Sequence, residues 1–280
     1  MSSTFIPTSN IFMHFREYED FLFYYAADNS HTDFVMHSHD ICELLFLKKG
    51  DLTYNVEGRS YQFSPNCLIL TRPFERHNLT FNSASEYERY VFLFDEKKLA
   101  SGIYEKIPSN IDIINFDGNA LMCSLFQKID YYLKTLEPEE LENILLHIIQ
   151  EALYNIRLAS KTRHLNNYRV NPLINDAIKY IDANILKPLT IDTICEELHI
   201  TKGYLHKLFV RYLQISPRQY ILSKKLAIAQ RELRMGAKAT DVYLTCGFTD
   251  YSSFYRCYKK HFGHAPSEEI NATIVREIYS

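Results

Sequence analysis

The 280 residues are enough for two domains with separate cores. Their 46% hydrophobic and 23% charged content is that of a soluble globular protein, and no stretch approaches the ~18 apolar residues of a membrane span, which excludes a membrane protein of the helical kind. The net charge of −3 is unevenly spread: Pro172 to Ser280 carries 15 Lys+Arg against 11 Asp+Glu, and the residues before it carry 16 against 23.

A positive C-terminal part suits a module that faces phosphates, although the excess is modest. None of the six cysteines (Cys42, Cys67, Cys123, Cys195, Cys246, Cys257) forms a C-x-x-C pair. Each lies in an apolar stretch, which points to buried, reduced thiols. The N-terminus has no basic start followed by an apolar run, so the cytoplasm is the expected location.

Residues 1–20 are mixed and aromatic without a clear period and read as an arm. From Phe21 to Phe94 the period is two. Leu52, Tyr54 and Val56 alternate with polar residues, Glu57-Gly58 reads as a hairpin turn, and Tyr61 and Phe63 resume the alternation. Ser64-Pro65-Asn66 is the next turn, Cys67 to Leu70 a buried strand, and Tyr90, Phe92 and Phe94 close the series. Evenly spaced short strands of this kind predict a small antiparallel β-barrel or sandwich, and a barrel is the expectation taken forward. From Asn119 the period becomes helical: Leu121, Leu125, Ile129 and Leu136 mark one helix, and Leu141, Leu145, Ile148 and Ala152 mark a second after Glu137-Pro138. So wide an apolar face needs cover, from the barrel or from a second subunit, and the second stripe is the candidate dimerisation surface. Ser160 to Asn171 is polar and basic (Lys161, Arg163, Arg169) and reads as a linker.

Beyond Pro172 one plan occurs twice. Ile191, Ile194, Cys195 and Leu198 bury a short helix, the corner His199-Ile200-Thr201 follows, and Leu205, Leu208 and Phe209 point a second helix inward. That leaves Lys202, Gly203, His206, Lys207 and Val210 on the opposite face, with Arg211 near phosphates. Ser216-Pro217 starts a long connecting helix. The second copy turns at Cys246-Gly247-Phe248-Thr249; Phe254, Cys257 and Tyr258 point inward, and Tyr251, Ser252, Tyr255, Arg256 and Lys259 outward, with Lys260 beside them for phosphates. A helix offering such a face suits the DNA major groove. The plan is a duplicated helix-turn-helix.

These residues closely resemble the arabinose-regulator (AraC-type) family of bacterial transcription factors. The resemblance rests on Tyr204-Leu205-x-x-Leu208-Phe209, Ser216-Pro217-x-x-Tyr220, Leu226-x-x-Ala229 and the long string from Cys246-Gly247-Phe248 through Tyr258-Lys259 to Gly263 and Pro266-Ser267. It implies seven helices that place two motifs on adjacent major-groove segments, RNA polymerase as a partner, and activation as the output. Four positions depart from the pattern: Gln214 for a glycine, Lys225 for an arginine, and Ala239 and Tyr243 for an Ile and an Ala. The bulk of Tyr243 puts base reading by the second motif in question.

The phrase His37-Ser38-His39-Asp40-Ile41-Cys42-Glu43, followed by Gly50, resembles the first signature of the cupin barrel, and Pro73-x-x-x-His77 echoes the second without its glycine. His37, His39, Glu43 and His77 are a donor set that could bind Fe, Mn, Ni or Zn. In this family the phrase is often kept without a metal, and its side chains tie strands together or line an effector pocket; these residues and Arg72 are the candidate effector contacts, with no metal, cofactor or catalytic residue expected. The aromatic barrel interior (Tyr54, Tyr61, Phe63, Tyr90, Phe92) would stack on a sugar.

The resulting fold class is α+β: a cupin-like antiparallel barrel with its arm over residues 1–115, a helical hairpin over 116–160, a linker over 161–171, and an all-α domain with two helix-turn-helix motifs over 172–280. The expected protein is a cytoplasmic, homodimeric transcription regulator that binds double-stranded DNA and is gated by a small carbohydrate. A metal-dependent cupin enzyme with an accessory DNA-binding part, and a constitutive regulator whose barrel only dimerises, are the alternatives.

Overall fold

Alternating side chains build the first part of the chain into strands, and all the strand pairings recorded are antiparallel. The computed structural model describes residues 4–5, 11–18, 21–28, 33–84, 86–96, 99, 102–109, 111–117, 119–162 and 168–271. They fall into two units: one of Met1–His37, Ile41–Val56 and Ser60–Arg169, the other of Val170–Ser280 with the short segments Ser38–Asp40 and Glu57–Arg59.

In the first unit the strands are β1 (Thr4–Phe5), β2 (Ile11–Glu17), β3 (Phe21–Asp28), β4 (Cys42–Lys49), β5 (Leu52–Val56), β6 (Arg59–Phe63), β7 (Cys67–Thr71), β8 (His77–Phe81), β9 (Tyr87–Phe94), β10 (Ile113–Asn115) and β11 (Tyr168–Val170). The predicted hairpin turn is present between β5 and β6, with Glu57 at φ 46° and Gly58 at φ 75°. The expected closed barrel is not. Among the described residues the strands form a seven-stranded sheet, ordered β1-β2-β3-β9-β4-β7-β10, and a four-stranded sheet, ordered β11-β6-β5-β8. Among the described residues no pairing joins an end strand of one sheet to an end strand of the other.

The large sheet is covered on both faces, which is why Cys42–Leu47 on its central strand is buried throughout rather than at every second residue. One face carries Phe23, Cys42, Leu44, Phe46, Leu68, Leu70, Tyr90, Phe92 and Phe94 against three helices: α1 (Ala120–Gln127), α2 (Ile129–Thr135) and α3 (Pro138–Thr162). The Phe46 and Phe126 rings stack with centroids 4.1 Å apart. Tyr90 and Phe92, assigned from sequence to a barrel interior, therefore lie on the helix-covered face. Alternation fixes which residues share a face and not what covers it.

The expected helical hairpin is three helices, because the chain bends at Lys128, and Leu121 is left 83% exposed instead of joining the stripe. The stripe on α3 needs the larger correction. Leu141, Leu145, Ile148 and Ala152 are at most 3% exposed inside this unit's own core, so they have no surface to give to a second subunit. Burying a side chain of this size contributes about 1.5–3 kcal/mol, enough to hold the helix on its own sheet. The basic stretch read as a linker is helical to Thr162 and extended over β11; Arg163 within it, and most of the N-terminal arm, lie outside the described residues.

The second unit is helical: α4 (Pro172–Asn184), α5 (Ile191–Glu197), α6 (Lys202–Leu213), α7 (Pro217–Arg234), α8 (Ala239–Thr245) and α9 (Tyr251–Phe262), then a 3-10 segment over Pro266–Asn271. It has two cores. Tyr220 and Ile221 of α7 join the first, with Ile174, Ile194, Leu205 and Phe209; Leu226, Ala229 and Leu233 join the second, with Val242, Phe254 and Tyr258. Ser216 and Gln219 close a capping box with Pro217 at the first helical position, as the Ser-Pro signal predicts. Gln214, the residue replacing a glycine, sits left-handed at φ 58° after α6. Gln214→Gly should stabilise the unit by about 0.5–1 kcal/mol, because left-handed strain of roughly 1–2 kcal/mol exceeds the cost of a freer unfolded chain. Denaturant unfolding checks this, and an unchanged midpoint would count against it.

Candidate DNA interface and sensor site

The two copies share their geometry as well as their pattern. After α5 the chain reverses through His199 at φ 52°, and after α8 through Gly247 at φ 73°. Ile200 N–H donates to the Cys195 carbonyl at 3.0 Å, and Phe248 N–H to that of Tyr243 at 2.9 Å, the closing bond of a Schellman turn in each case. Thr201 then caps α6 by accepting from Tyr204 N–H, and Asp250 caps α9 by accepting from Ser253 N–H. Both second helices run for 12 residues and end on a left-handed residue, Gln214 or Gly263.

On α6 the buried stripe is Leu205, Leu208, Phe209 and Leu213, while Lys202, Gly203, His206, Lys207, Val210 and Arg211 are exposed. A Cβ on Gly203 would meet nothing within 4 Å, so no packing demands a glycine and the surface there is low and open. Lys202 pairs with Asp192, and the Arg211 guanidinium lies 5.5 Å from the Tyr212 ring centre. On α9 Phe254 and Tyr258 are buried, Tyr251, Ser252, Arg256, Lys259 and Lys260 are exposed, and Tyr255 is half-buried. Cys257, expected inward, is half-buried as well.

The departures from the family pattern are accommodated locally. The Tyr243 ring meets Tyr251 edge-on, centroids 5.8 Å apart at 79°, so its bulk is taken up at the surface while the turn keeps the form seen in the first motif. Lys225 donates to the Gly247 carbonyl at 3.0 Å, tying α7 to the second turn, and burial lowers its ammonium pKa. The Asp250 carboxyl is held below the usual range, first by the Ser253 backbone N–H. A lowered folded-state pKa gives stability that is present above the unfolded value and lost on acidification. The second motif should therefore loosen as pH falls through the carboxylate range, and Asp250→Asn, which keeps a cap, should remove that part of the dependence; an unaltered pH profile in the variant would refute this.

In the sensor unit, His37 and His77 come together. Their backbones exchange hydrogen bonds at 3.1 and 2.9 Å, and their rings lie 4.4 Å apart. Each Nδ1 donates to a carbonyl at 2.8 Å, of Val35 and Glu75 respectively, which leaves Nε2 as the acceptor in the neutral ring. His39 is buried in the short segment that groups with the second unit. Glu43, 8% exposed, lies on β4 opposite Thr71 and Leu93.

Arg72 is engaged within the fold. It donates to Asp112 at 3.1 Å and to the carbonyls of Pro108 and Ile111 at 2.9 and 2.7 Å, with Glu75 3.7 Å away. Tyr61 donates to the same Asp112, and the Tyr54 and Thr71 hydroxyls hydrogen-bond at 2.8 Å. Tyr54 stacks near Tyr61, centroids 6.3 Å apart, and lies 6.4 Å from the His77 ring. Asp112 was not singled out in the sequence, and neither was Glu269, which is buried on the 3-10 segment over Pro266–Asn271; neither belongs to the residues that carry the family resemblance.

A duplicated helix-turn-helix whose second helices carry a basic exposed face, in a chain with a separate strand-rich unit, is the plan of a DNA-binding transcription regulator. A family model described as a helix-turn-helix domain matches residues 194–271, and one described as an AraC-like ligand binding domain matches residues 22–165, more than half of the chain. The chain belongs to the AraC family of transcription regulators. It is 30% identical over 131 residues to the HTH-type transcriptional regulator ArgR of Pseudomonas aeruginosa, a match spanning 46% of this chain and only 39% of that protein. It is 22% identical over 246 residues to the HTH-type transcriptional activator RhaS of Mannheimia succiniciproducens, covering 84% of this chain and 88% of that one. Among solved structures, ToxT from Vibrio cholerae matches 90% of this chain and 98% of its own at 14% identity and a TM-score of 0.40. These relatives are regulators and not enzymes, so the reading as a metal-dependent enzyme is set aside. No helix among the described residues is long and apolar enough to cross a membrane.

Proposed function

We propose that this regulator is a cytoplasmic activator in which a small effector, a carbohydrate by the reading of the aromatic sensor, changes how the two motifs engage operator DNA. The observation that carries it is the pair of geometrically matched reading helices, each with its exposed face outside a buried stripe. Lys202, Gly203, His206 and Lys207 on α6 and Tyr251, Ser252, Tyr255 and Arg256 on α9 form the proposed base-facing surfaces, and Arg211, Lys259 and Lys260 are the proposed phosphate contacts. The two stacked tyrosines, His37, His77 and Glu43 support a sugar-sized effector in the sensor, while Arg72 and Asp112 hold its wall. Activation follows the relative RhaS, a transcriptional activator, and RNA polymerase is the partner that the family resemblance implies. A homodimer belongs to this reading too, with exposed groups of α3 such as Tyr154 and Leu158 in place of the buried stripe.

Binding to DNA upstream of its own and neighbouring genes, with and without a panel of mono- and oligosaccharides, tests the reading. Operator affinity that shifts with one sugar supports it, because an effector acts only through differential affinity for two states. Affinity indifferent to every ligand would leave a constitutive regulator. Lys207→Ala or Arg256→Ala should weaken operator binding by about 1–3 kcal/mol if the side chain reads a base. Unchanged affinity in both, with an intact fold, would place other faces against DNA.

A further inference from the structure

The face of the seven-stranded sheet turned away from the helices holds one buried cation. Register puts Arg89 of β9 opposite Ala26 of β3 and Leu47 of β4, with Tyr87, Val91 and Leu93 on the same side. This face meets the second sheet, as the Tyr54–Thr71 hydrogen bond and the Phe81–Tyr87 ring contact at 5.4 Å show. Arg89 is 7% exposed. Its guanidinium lies 4.5 Å from the Tyr87 ring centre, 5.0 Å from Phe34 and 5.7 Å from Tyr24. The Tyr24 hydroxyl is its side-chain hydrogen-bond partner and Glu43 acts on it only through space. Its Nη1 is buried and has no hydrogen-bond partner among the described residues.

A guanidinium in such a place is costly unless an anion pairs with it, because aromatic faces return only part of its hydration. The fork geometry of Arg selects a planar, bidentate oxyanion. The neighbours of the guanidinium are apolar or aromatic (Leu47, Phe34, Tyr87, Tyr24), and the residue opposite on β3 is the small Ala26. Phe34 is half-buried, and its N–H donates to the Leu79 carbonyl at 3.0 Å, so its segment lies along the edge of β8 and forms the outer wall. We infer that the effector carries a carboxylate and that Arg89, inside its cage of Phe34, Tyr87 and Tyr24, binds it. This rests on the effector-gated reading above and narrows the effector to a small organic acid, whether an acidic sugar or an aromatic acid.

The test uses the full-length protein with matched acid and neutral probes: galacturonate against galactose, benzoate against benzamide, and acetate as the bare head group. Calorimetric titration and thermal shift should show at least one acid binding while its neutral partner does not. Arg89→Gln should weaken that acid by about 10–100-fold, the loss expected for charge-assisted hydrogen bonds. Arg89→Lys, which keeps the charge and loses the fork, should fall between, and it serves if the glutamine variant does not fold. Galacturonate alone would identify an acidic sugar and benzoate alone an aromatic acid. The inference is overturned if no acid binds the wild type, if acids and neutral partners bind alike, or if both Arg89 variants bind the acid undiminished. Operator affinity measured with the same probes separates the two readings. An acid that binds through Arg89 without altering operator affinity leaves this site standing and removes gating. A neutral sugar that alters operator affinity while the acids do nothing does the reverse.

Discussion

Glu269→Ala should destabilise the helical unit by about 3–5 kcal/mol, the cost of removing one partner from a buried, hydrogen-bonded charge network. Glu269 is 1% exposed on the 3-10 segment after α9. Its Oε1 accepts from Arg234 Nε at 2.7 Å and from the Gln230 amide at 3.1 Å, both on α7. Its Oε2 accepts from the Tyr258 hydroxyl on α9 and lies 3.2 Å from His264 Nε2. One carboxylate thus fastens the connecting helix to the second reading helix, and alanine would take that acceptor from a guanidinium, an amide and a phenol, of which the guanidinium also pairs with Asp40. Urea unfolding of the full chain, followed by helical circular dichroism, measures it. Glu269→Gln keeps the shape but offers one acceptor, and it should cost less. A loss below about 1 kcal/mol for the alanine variant would show that packing of Phe254 and Tyr258 suffices without the carboxylate. The operator contacts proposed for α9 should weaken together with stability, and those proposed for α6, which has its own core, should persist.

The helical unit was largely legible in the sequence because its signals are local. Caps at Thr190, Thr201, Ser216 and Asp250, proline at the start of α7 and a left-handed residue after each reading helix fix boundaries within a few residues. Buried positions at helical spacing then separate inward from outward faces, so the exposed faces of α6 and α9 followed. The sensor was less legible. Strand parity groups Glu43, Thr71, Arg89 and Leu93 on one side and Leu44, Phe92 and Tyr90 on the other, and nothing local says which side meets helices. The same limit explains the α3 stripe: an apolar face on a helix announces that it will be covered and leaves open by what. Asp112, Glu269 and the partners that hold Arg72 in the fold stayed hidden for a related reason. Their partners lie 40, 51, 35 and 39 residues away in sequence, and no periodicity connects them.

The sensor unit has its own buried carboxylate, and Asp112→Ala should cost it about 3–4 kcal/mol by the same physics. Asp112 is 1% exposed just before β10. It receives Arg72 Nη1 on one oxygen and the Tyr61 hydroxyl on the other, and its own carbonyl accepts from Leu70 N–H at 2.9 Å. Since Tyr61 is on β6 of the smaller sheet and Arg72 directly follows β7 of the larger one, this group joins the two layers beside the stacked tyrosines. Tyr61→Phe removes one bond and should cost about 1–1.5 kcal/mol. The double variant Asp112→Ala with Arg72→Met should be less damaged than the two single losses added together, because each single change takes from the other its nearest opposite charge; a coupling of about 1–3 kcal/mol is the expected size. Additive losses would mean that Arg72 and Asp112 act independently. The cycle also decides what Arg72 is for. A guanidinium whose removal costs stability, and whose loss with Asp112 leaves effector response intact, is part of the wall. Effector response lost at unchanged stability would return Arg72 to the binding site proposed for it from the sequence.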